Sequence, residues 1–260
     1  MSIKPRISCI ISTYGDADLV HKKIEEICRQ TIFDEVEFLF VETGSPDRER
    51  DIIAPYTEQY SNIHLITDDE RRTLYQAWNM GWEAATASLL CYSNMDDALH
   101  PRCLEIVVET MHAEPELDLC SVMVAYQNKD SPGDQNSFVT ERLRKLKISR
   151  RPGPFTAWRD CLRDKIGMFD GRYRVVGDLD FWSRAAHEGI RAKLIRKVLY
   201  LYTTAPSQLS KSHNKKEELA DAAGKSGGLR WHPKVANAML FHRKVFRLFP
   251  SIYLIDGNTQ

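Results

Sequence analysis

The chain has 260 residues with 36 basic and 36 acidic side chains, and 43% of its residues are hydrophobic, so it can form one large domain or two small ones. Its 13 glycines and 11 prolines exclude a collagen-like or low-complexity chain, and no stretch approaches the roughly 18 consecutive apolar residues of a membrane span. The balanced charge also excludes a uniformly basic nucleic-acid binder, and we expect a soluble, globular, cytoplasmic protein with no nucleic-acid partner.

Short apolar runs alternate with helical patterns through the first half of the chain. The sequence predicts strands at 7–11, 36–41, 63–67, 89–92 and 117–126. It predicts helices at 19–30, from Pro46 to about Tyr60, at 74–87 and from Pro101 onward. Ser45 is a favourable N-cap for the second of these helices, and Pro46 suits its first helical position. Strands that alternate with helices through short connections predict a parallel, doubly wound α/β sheet.

The second half of the chain is less regular. Residues 127–140 are polar and predict a loop, and a basic run follows at 142–151. Asp178 to Glu188 is typical of a helix with Asp178 as its N-cap and Gly189 as its stop. Beyond it, the sequence predicts one or two strands at 192–202, a loop at 206–228 and a last, basic helix at 234–249.

The charge is divided unequally along the chain. Residues 1–100 hold 9 basic and 18 acidic side chains, whereas residues 101–260 hold 27 and 18. One interpretation is an acidic half that holds a cation and a basic half that meets phosphate. The other is a pair of solvated surfaces of opposite sign, and composition does not distinguish the two.

Ligands of a doubly wound sheet bind at the carboxyl ends of its strands. The loops of interest are therefore 12–16, 42–47, 67–73 and 93–100. No G-x-G-x-x-G follows the first strand, neither H-E-x-x-H nor G-x-S-x-G occurs, and Gly224-Lys225-Ser226 lacks the upstream glycine of a P-loop. These absences remove the common dehydrogenase, zinc-protease, hydrolase and NTPase interpretations.

Two adjacent carboxylates, Asp96 and Asp97, directly follow the fourth predicted strand. Neighbouring carboxylates repel each other unless a cation holds them, and hard oxygen ligands suit Mg²⁺ or Mn²⁺. The pair alone is also explained by a turn that caps the helix at Pro101. The acidic pair by itself leaves both interpretations open.

Five segments, in order along the chain, carry a further pattern. They are Ile7-Ser-Cys-Ile-Ile-Ser-Thr-Tyr14, Phe38-Leu-Phe-Val-Glu-Thr-Gly-Ser-Pro-Asp47, Thr73-Leu-Tyr-Gln-Ala-Trp-Asn-Met-Gly81, Asn94-Met-Asp-Asp97, and Gly167-Met-Phe-Asp170 followed by Gly177-Asp-Leu-Asp-Phe-Trp-Ser-Arg184. These segments resemble the V-S-V-I-I-P-T-Y-N, I-I-V-V-D-D-G-S-T-D, G-x-x-x-A-x-N-x-G, D-x-D-D and G-x-F-D … E-D-x-x-F-W-x-R patterns of inverting glycosyltransferases of family 2. The resemblance covers about residues 5–205 and implies the GT-A fold.

The resemblance also implies a nucleotide-sugar pocket. Its residues are Ser12, Tyr14, Glu42, Arg71, Arg72, Asn79, Asn94 and Asp97. In this pocket Tyr14 lies against the base or ribose, Glu42 stands where an aspartate reads the base edge, and Arg71 or Arg72 contacts the base or diphosphate. By the same resemblance, Asp96 would ligate Mn²⁺ or Mg²⁺ at the diphosphate, while Asn94 holds the first acidic place of the metal motif. Asp97 would support the sugar or the metal shell.

On the acceptor side, Asp178 matches the aspartate of the E-D pair and is the candidate general base, with Asp180 as the alternative. Inversion needs a carboxylate that takes the proton of the acceptor hydroxyl. The preceding glutamate of the pattern is Gly177 here, and the histidine that many relatives carry after the last core strand is absent at 203–206, with His213 a distant substitute. Trp158 and Trp182 are explained equally by core packing and by stacking on a sugar ring.

We therefore expect one GT-A-like α/β domain at 1–210, with a nucleotide-sugar half at 1–126 and an acceptor half at 127–210, followed by a loop and helical extension at 211–260. The expected function is metal-assisted transfer of a sugar from a nucleoside diphosphate, with UDP favoured, onto a glycan or lipid-linked acceptor. The basic C-terminal helix either packs on the core or contacts the inner face of the membrane.

A non-catalytic sugar- or nucleotide-binding module is the alternative to this enzyme, since Asn94 and Gly177 depart from the family pattern. A nucleotidyltransferase ranks lower, because the first loop lacks a glycine-rich basic segment.

Overall fold

A computed structural model describes residues 4–129, 138, 140–143, 146–149, 154–204 and 215–225 of the chain. Its strands are β1 Ile7–Thr13, β2 Val36–Thr43, β3 Ile63–Asp68, β4 Leu89–Tyr92, β5 Ala98–Leu99, β6 Leu119–Asn128, β7 Lys147–Ser149, β8 Thr156–Arg159 and β9 Ala192–Thr204. Its α-helices are α1 Val20–Cys28, α2 Glu49–Gln59, α3 Leu74–Ala84, α4 Cys103–Ala113, α5 Thr140–Leu143, α6 Leu162–Ile166, α7 Gly177–His187 and α8 Lys215–Lys225. The strands and helices predicted for the first half are all present, with ends that shift by a few residues.

The described strands form a mixed sheet in the order β3-β2-β1-β4-β8-β6-β9-β5, and β7 also pairs with β6. The first four are parallel, as predicted from their helical connections. β8 runs antiparallel between β4 and β6, whereas β9 is parallel to β6. The strands of the second half of the chain therefore continue the sheet of the first half, and the carboxyl ends of β1, β2, β3 and β4 share one edge.

Helices cover both faces of the sheet because the buried strands are apolar on both sides. On β1, Cys9 and Ile11 pack in the cluster with α1, α2 and α4, whereas Ile10 packs in the cluster with α3, α6 and α7. The second cluster is rich in aromatic side chains that surround Phe169. Trp158 and Trp182 belong to it and are 0% and 8% exposed, so they are core residues rather than surfaces for a sugar ring.

Two predicted helix starts are wrong, and each has a physical reason. α2 begins at Glu49 because Arg48 lies in the left-handed region, with a φ of 51°, and so interrupts a helix that would start at Pro46. The Ser45 hydroxyl accepts hydrogen bonds from Gly15 N and Asp47 N in the turn before it. α7 begins at Gly177 with Val176 as its N-cap residue, so Asp178 lies inside the first turn.

The predicted loop at 206–228 is also partly wrong, because α8 occupies Lys215–Lys225. The predicted helix at 234–249 and His213 lie outside the described residues. Among the helices that the structure does describe, none combines the length and hydropathy of a membrane span.

Candidate functional site

The loops that follow β1, β2 and β3 meet at the carboxyl edge of the sheet. Gly44 has a positive φ of 56°, and a Cβ there would lie 2.7 Å from Arg71 N and 2.9 Å from Asp69 O. Only glycine allows this approach without displacing backbone. The turn after β2 thus packs directly against the loop that carries Arg71.

Tyr14 and Arg71 form a stacked pair at this edge. The Arg71 guanidinium carbon lies 4.0 Å from the centroid of the Tyr14 ring, and the tyrosine is 37% exposed. Two residues before Tyr14, the Ser12 hydroxyl accepts a hydrogen bond of 3.2 Å from the Trp78 indole nitrogen. An exposed aromatic ring beside a guanidinium is a flat, positively charged surface of the kind on which nucleobases stack. The two predicted residues therefore lie together in a suitable arrangement.

Glu42 and Arg72 are engaged in contacts within the protein. Glu42 is completely buried, and its carboxylate accepts from Ser45 N at 2.7 Å and pairs with Arg50, which also reaches Asp69. Arg72 donates to the Asp68 carboxylate at 2.6 Å. The contact of Glu42 with a base edge stays a prediction, in which Arg50 would share the carboxylate with the base.

Asn79 joins α3 to the segment that precedes α7. Its amide nitrogen donates to Phe169 O at 2.8 Å and its amide oxygen accepts from Phe169 N at 3.1 Å. Both functions of the amide are thus occupied by one backbone position. The structure supports a role for Asn79 in fixing the segment before α7 rather than a direct contact with the nucleotide sugar.

The segment Ser93–Asp97, here called the acid loop, follows β4. Asp97 is 1% exposed and accepts hydrogen bonds from Tyr200 Oη, Asn94 Nδ2 and Thr203 N at 2.7 to 2.8 Å. Burial, and then the charge of Asp96, raises the pKa of Asp97 to about 7 against the lowering effect of these hydrogen bonds. The Asn94 side chain therefore binds the Asp97 carboxylate, and this carboxylate joins the acid loop to β9.

Asp96 is the carboxylate of the acid loop that borders an open cleft of about 370 Å³. Lys22, Lys23 and Lys129 also line the cleft, and burial raises the pKa of Asp96. Asp16, at the end of the neighbouring β1, has a pKa raised to about 6, mainly by burial and partly by the charge of Asp96. Carboxylates beside basic side chains suit a divalent cation together with phosphate.

The carboxylates at this cleft could hold a divalent cation if the phosphates of a bound substrate supplied its other ligands. In the described part of the chain, no three His, Cys, Asp or Glu side chains are grouped closely enough to hold a metal ion by themselves. Mg²⁺ commonly binds one or two carboxylates and completes its shell with substrate phosphates and water. Asp96, with Asp16 beside it, fits that pattern.

A buried ion pair on α1 holds the acid loop from behind. Lys23 Nζ donates to Glu26 at 2.9 Å, to Ser93 Oγ at 3.1 Å and to Asp97 O at 2.8 Å. Glu26 accepts from Leu99 N at 2.9 Å. Both ends of the loop are thereby fixed to one helix. The sequence contained a signal for this pair, because 23 and 26 fall among the apolar positions of an amphipathic helix, where charged residues need partners.

Replacing Lys23 by methionine is expected to lower the free energy of unfolding by about 3–5 kcal/mol, because Glu26 would remain buried without its partner. Urea denaturation measures this loss. Lys22→Met is the matched control, since Lys22 is exposed on the same helix and should leave the unfolding midpoint unchanged. Equal midpoints for the two variants would contradict a stabilising role of the pair.

Asp178 lies in the first turn of α7, against the first turn of α3. Its Oδ1 accepts from Tyr75 Oη at 3.2 Å and from Leu179 N at 2.8 Å. Burial and the charge of Asp178 raise the pKa of Tyr75 well above its usual value, so the phenol stays a donor. A Cβ on Gly177 would lie 2.6 Å from the Tyr75 ring, which explains the glycine where the family pattern has a glutamate.

Asp180, the alternative base, has a different environment. It is 3% exposed and pairs with Arg184 at 2.8 Å. Arg184 in turn donates to the carbonyl oxygens of Ile166 and Met168 at the end of α6. Asp180 therefore orients an arginine that joins α7 to α6, and its geometry argues against a role as base.

Comparison with known proteins identifies relatives of this chain. Residues 8–177 match the family described as Glycosyl transferase family 2. Glycosyltransferase AglE of Haloferax volcanii is 26% identical over 211 residues, which are 79% of this chain and 69% of that protein. The PGL/p-HBAD biosynthesis glycosyltransferase of Mycobacterium tuberculosis is 29% identical over 182 residues, 68% of each protein. The uncharacterized glycosyltransferase EpsJ of Bacillus subtilis is 23% identical over 224 residues, and the chain covers 63% of its length.

Solved structures share the fold. TarS 1–349 of S. aureus in complex with UDP-GlcNAc has a TM-score of 0.67 and 15% identity, covering 94% of this chain and 72% of that one. The mannosyltransferase PcManGT of Pyrobaculum calidifontis, in complex with GDP-Man and Mn²⁺, has a TM-score of 0.64 and 18% identity, covering 94% and 70%. These similarities confirm the predicted GT-A-like α/β fold.

Proposed function

The chain belongs to glycosyltransferase family 2, and on that premise we propose that it transfers a sugar, with inversion, from a nucleoside diphosphate donor to a hydroxyl group of a glycan or lipid-linked acceptor. The observation that carries this proposal is the grouping, around one edge of the sheet, of an exposed aromatic–arginine pair, a half-buried carboxylate and a second carboxylate on α7. Each group suits a different part of the reaction. UDP is the favoured nucleotide.

The donor lies across the ends of β1, β2 and β4 in this proposal. The base stacks on Tyr14 and Arg71, while Glu42 accepts a hydrogen bond from the base edge. The diphosphate extends toward Asp96, where Lys22 and Lys129 add positive charge to the cleft. Asp97 acts indirectly, because its carboxylate fixes the acid loop.

Asp96, with Asp16 nearby, would hold Mn²⁺ or Mg²⁺ together with the diphosphate. The bound cation would neutralise negative charge on the departing nucleoside diphosphate. PcManGT, solved with GDP-Man and Mn²⁺, supports this assignment by analogy of fold.

Asp178 is the proposed general base. Its carboxylate takes the proton of the acceptor hydroxyl while that oxygen attacks the anomeric carbon, and the nucleoside diphosphate leaves from the opposite face of the sugar. The hydrogen bonds from Tyr75 and Leu179 hold Oδ1 in one direction, which supports this role. In this proposal the acceptor approaches from the 127–210 half.

A binding module without catalysis is the second candidate. It is favoured by Asn94, which replaces the first acid of the metal motif, and by Gly177, which leaves no space for the glutamate before Asp178. Both candidates require nucleotide binding. They differ in whether the sugar is transferred.

A thermal-shift panel of UDP, GDP, dTDP, CDP and ADP, each with Mn²⁺ or with EDTA, tests the donor site. We expect one nucleotide to stabilise the protein only with metal, by about 2.7 kcal/mol at 100 times its dissociation constant. Mn²⁺ alone is the control. A sugar-by-sugar transfer assay with the selected nucleotide then separates the enzyme from the binding module. If none of the five nucleotides raises the melting temperature, the donor-site assignment is wrong.

A further inference from the structure

Helix α8 contacts the turn that leads into α7 through one carboxylate. Glu218 Oε1 accepts from Arg174 N at 3.0 Å, and its Oε2 accepts from Val175 N at 2.8 Å and from Val176 N at 3.2 Å. In a capping box, a glutamate within the helix binds the N-cap N–H in this way. Here the glutamate lies 43 residues beyond Val175 and on a different helix.

Further contacts dock α8 in the same place. Tyr173 Oη donates to the Asp221 carboxylate at 2.7 Å, one turn after Glu218. Ala222 is completely buried, and Leu219 packs against the core cluster that includes Phe181 of α7. α8 is therefore a packed element of the fold, although it lies beyond the family match, which ends at residue 177.

The turn bound by Glu218 sets the backbone that carries Asp178. Val176 makes no side-chain cap at the start of α7, and Gly177 has no side chain that could fix the turn. The three hydrogen bonds to Glu218 thus hold the segment immediately before Asp178. A carboxylate at a helix N-terminus also interacts favourably with the helix dipole, which adds to the stability of this arrangement.

We propose that Glu218 is a positioning residue for sugar transfer, which fixes the Arg174–Val176 turn and thereby aims the Asp178 carboxylate at the acceptor. The inference rests on the proposed function, in which Asp178 receives the acceptor proton. Glu218 itself touches neither donor nor acceptor. Its loss therefore impairs the chemical step and leaves donor binding intact.

The test uses Glu218→Gln in the full chain. Glutamine keeps the length of the side chain, but it places an N–H₂ group against a backbone N–H that needs an acceptor. Amide hydrogen exchange at 174–176 is expected to become about tenfold faster. The kcat for release of UDP from UDP-glucose, UDP-galactose or UDP-GlcNAc, with water as acceptor, is expected to fall roughly 10- to 100-fold, because small misplacement of a catalytic group is costly. The donor KM stays within about twofold, since the donor site is untouched.

Glu217→Gln is the matched control, because Glu217 is exposed on the same helix and makes the same change of charge. Tyr173→Phe is the milder second variant, which removes only the hydroxyl that binds Asp221. It is expected to lower kcat in the same direction by a smaller factor.

The possible failures are distinguishable. Faster exchange at 174–176 with unchanged kcat in Glu218→Gln would overturn the positioning role and leave the proposed function intact. Unchanged exchange would overturn the inference at its structural step. If the wild-type chain releases no UDP from any of the three donors, the proposed function fails for these donors, and the role of Glu218 in transfer fails with it.

Discussion

Replacing Asp178 by asparagine is expected to lower the rate of sugar transfer by about 10²–10⁴-fold, the usual contribution of a general base. Asparagine has the same shape and keeps an oxygen that can accept from Tyr75 Oη and Leu179 N. The helix start and the donor site should therefore persist. Initial rates of nucleoside diphosphate release measure the loss, and calorimetric titration of the nucleotide should give a dissociation constant near that of the wild type.

Glu188→Gln is the control for this prediction, because Glu188 is exposed at the other end of α7 and loses the same charge. It should retain wild-type rates. Comparable activity of the Asp178 variant would show that another group takes the proton. Nucleotide binding without transfer by the wild-type protein would instead favour the binding module.

The strands and helices of the parallel half could be predicted because each is specified by the pattern of residues within its own segment. The strands at 7–13 and 36–43 are short, buried and mostly apolar segments, and the apolar residues of α1 between them recur on one face of the helix. β8 could not be predicted in this way. It has only four residues, and it pairs antiparallel with β4 and β6, which are distant in sequence. Nothing within such a short segment specifies which strands it joins.

The candidate site follows the same division. Asp96 and Asp178 were identified by motif, and the structure puts both beside the carboxyl edge of the sheet. The side chains that fix the acid loop and the turn before Asp178 were not identified by motif, because Lys23 and Glu218 belong to helices outside the matched patterns. The start of α7 was predicted wrongly for this reason. Its N-cap interaction comes from α8, whereas capping rules read from sequence consider only neighbours along the chain.

The segments that carry the proposed metal ligand and the proposed general base are thus each fixed by buried or half-buried charged side chains of helices outside the motifs, in addition to the motif residues beside them. Lys23 and Glu26 fix the acid loop, and Glu218 fixes the turn before Asp178. Such supporting contacts restrict the motion of a carboxylate before the substrate binds. Since a preorganised site loses less free energy to rearrangement during the reaction, these contacts are expected to matter for rate as well as for stability.

Replacing Asp96 by asparagine is expected to abolish the metal-dependent part of nucleotide binding, a loss of at least roughly 100-fold in affinity, because even outer-shell partners of a metal contribute 10–100-fold. The measurement is a titration of UDP, once with Mn²⁺ and once with EDTA, at pH 8 and at pH 6.

Protons compete with a cation for the carboxylates that would hold it, and burial raises the pKa of Asp96 and raises that of Asp16 to about 6. Metal-dependent binding by the wild type should therefore be weaker at pH 6. Asp34→Asn, at the opposite end of β2, is the control, and an equal gain from Mn²⁺ in both variants would exclude Asp96 as the metal ligand.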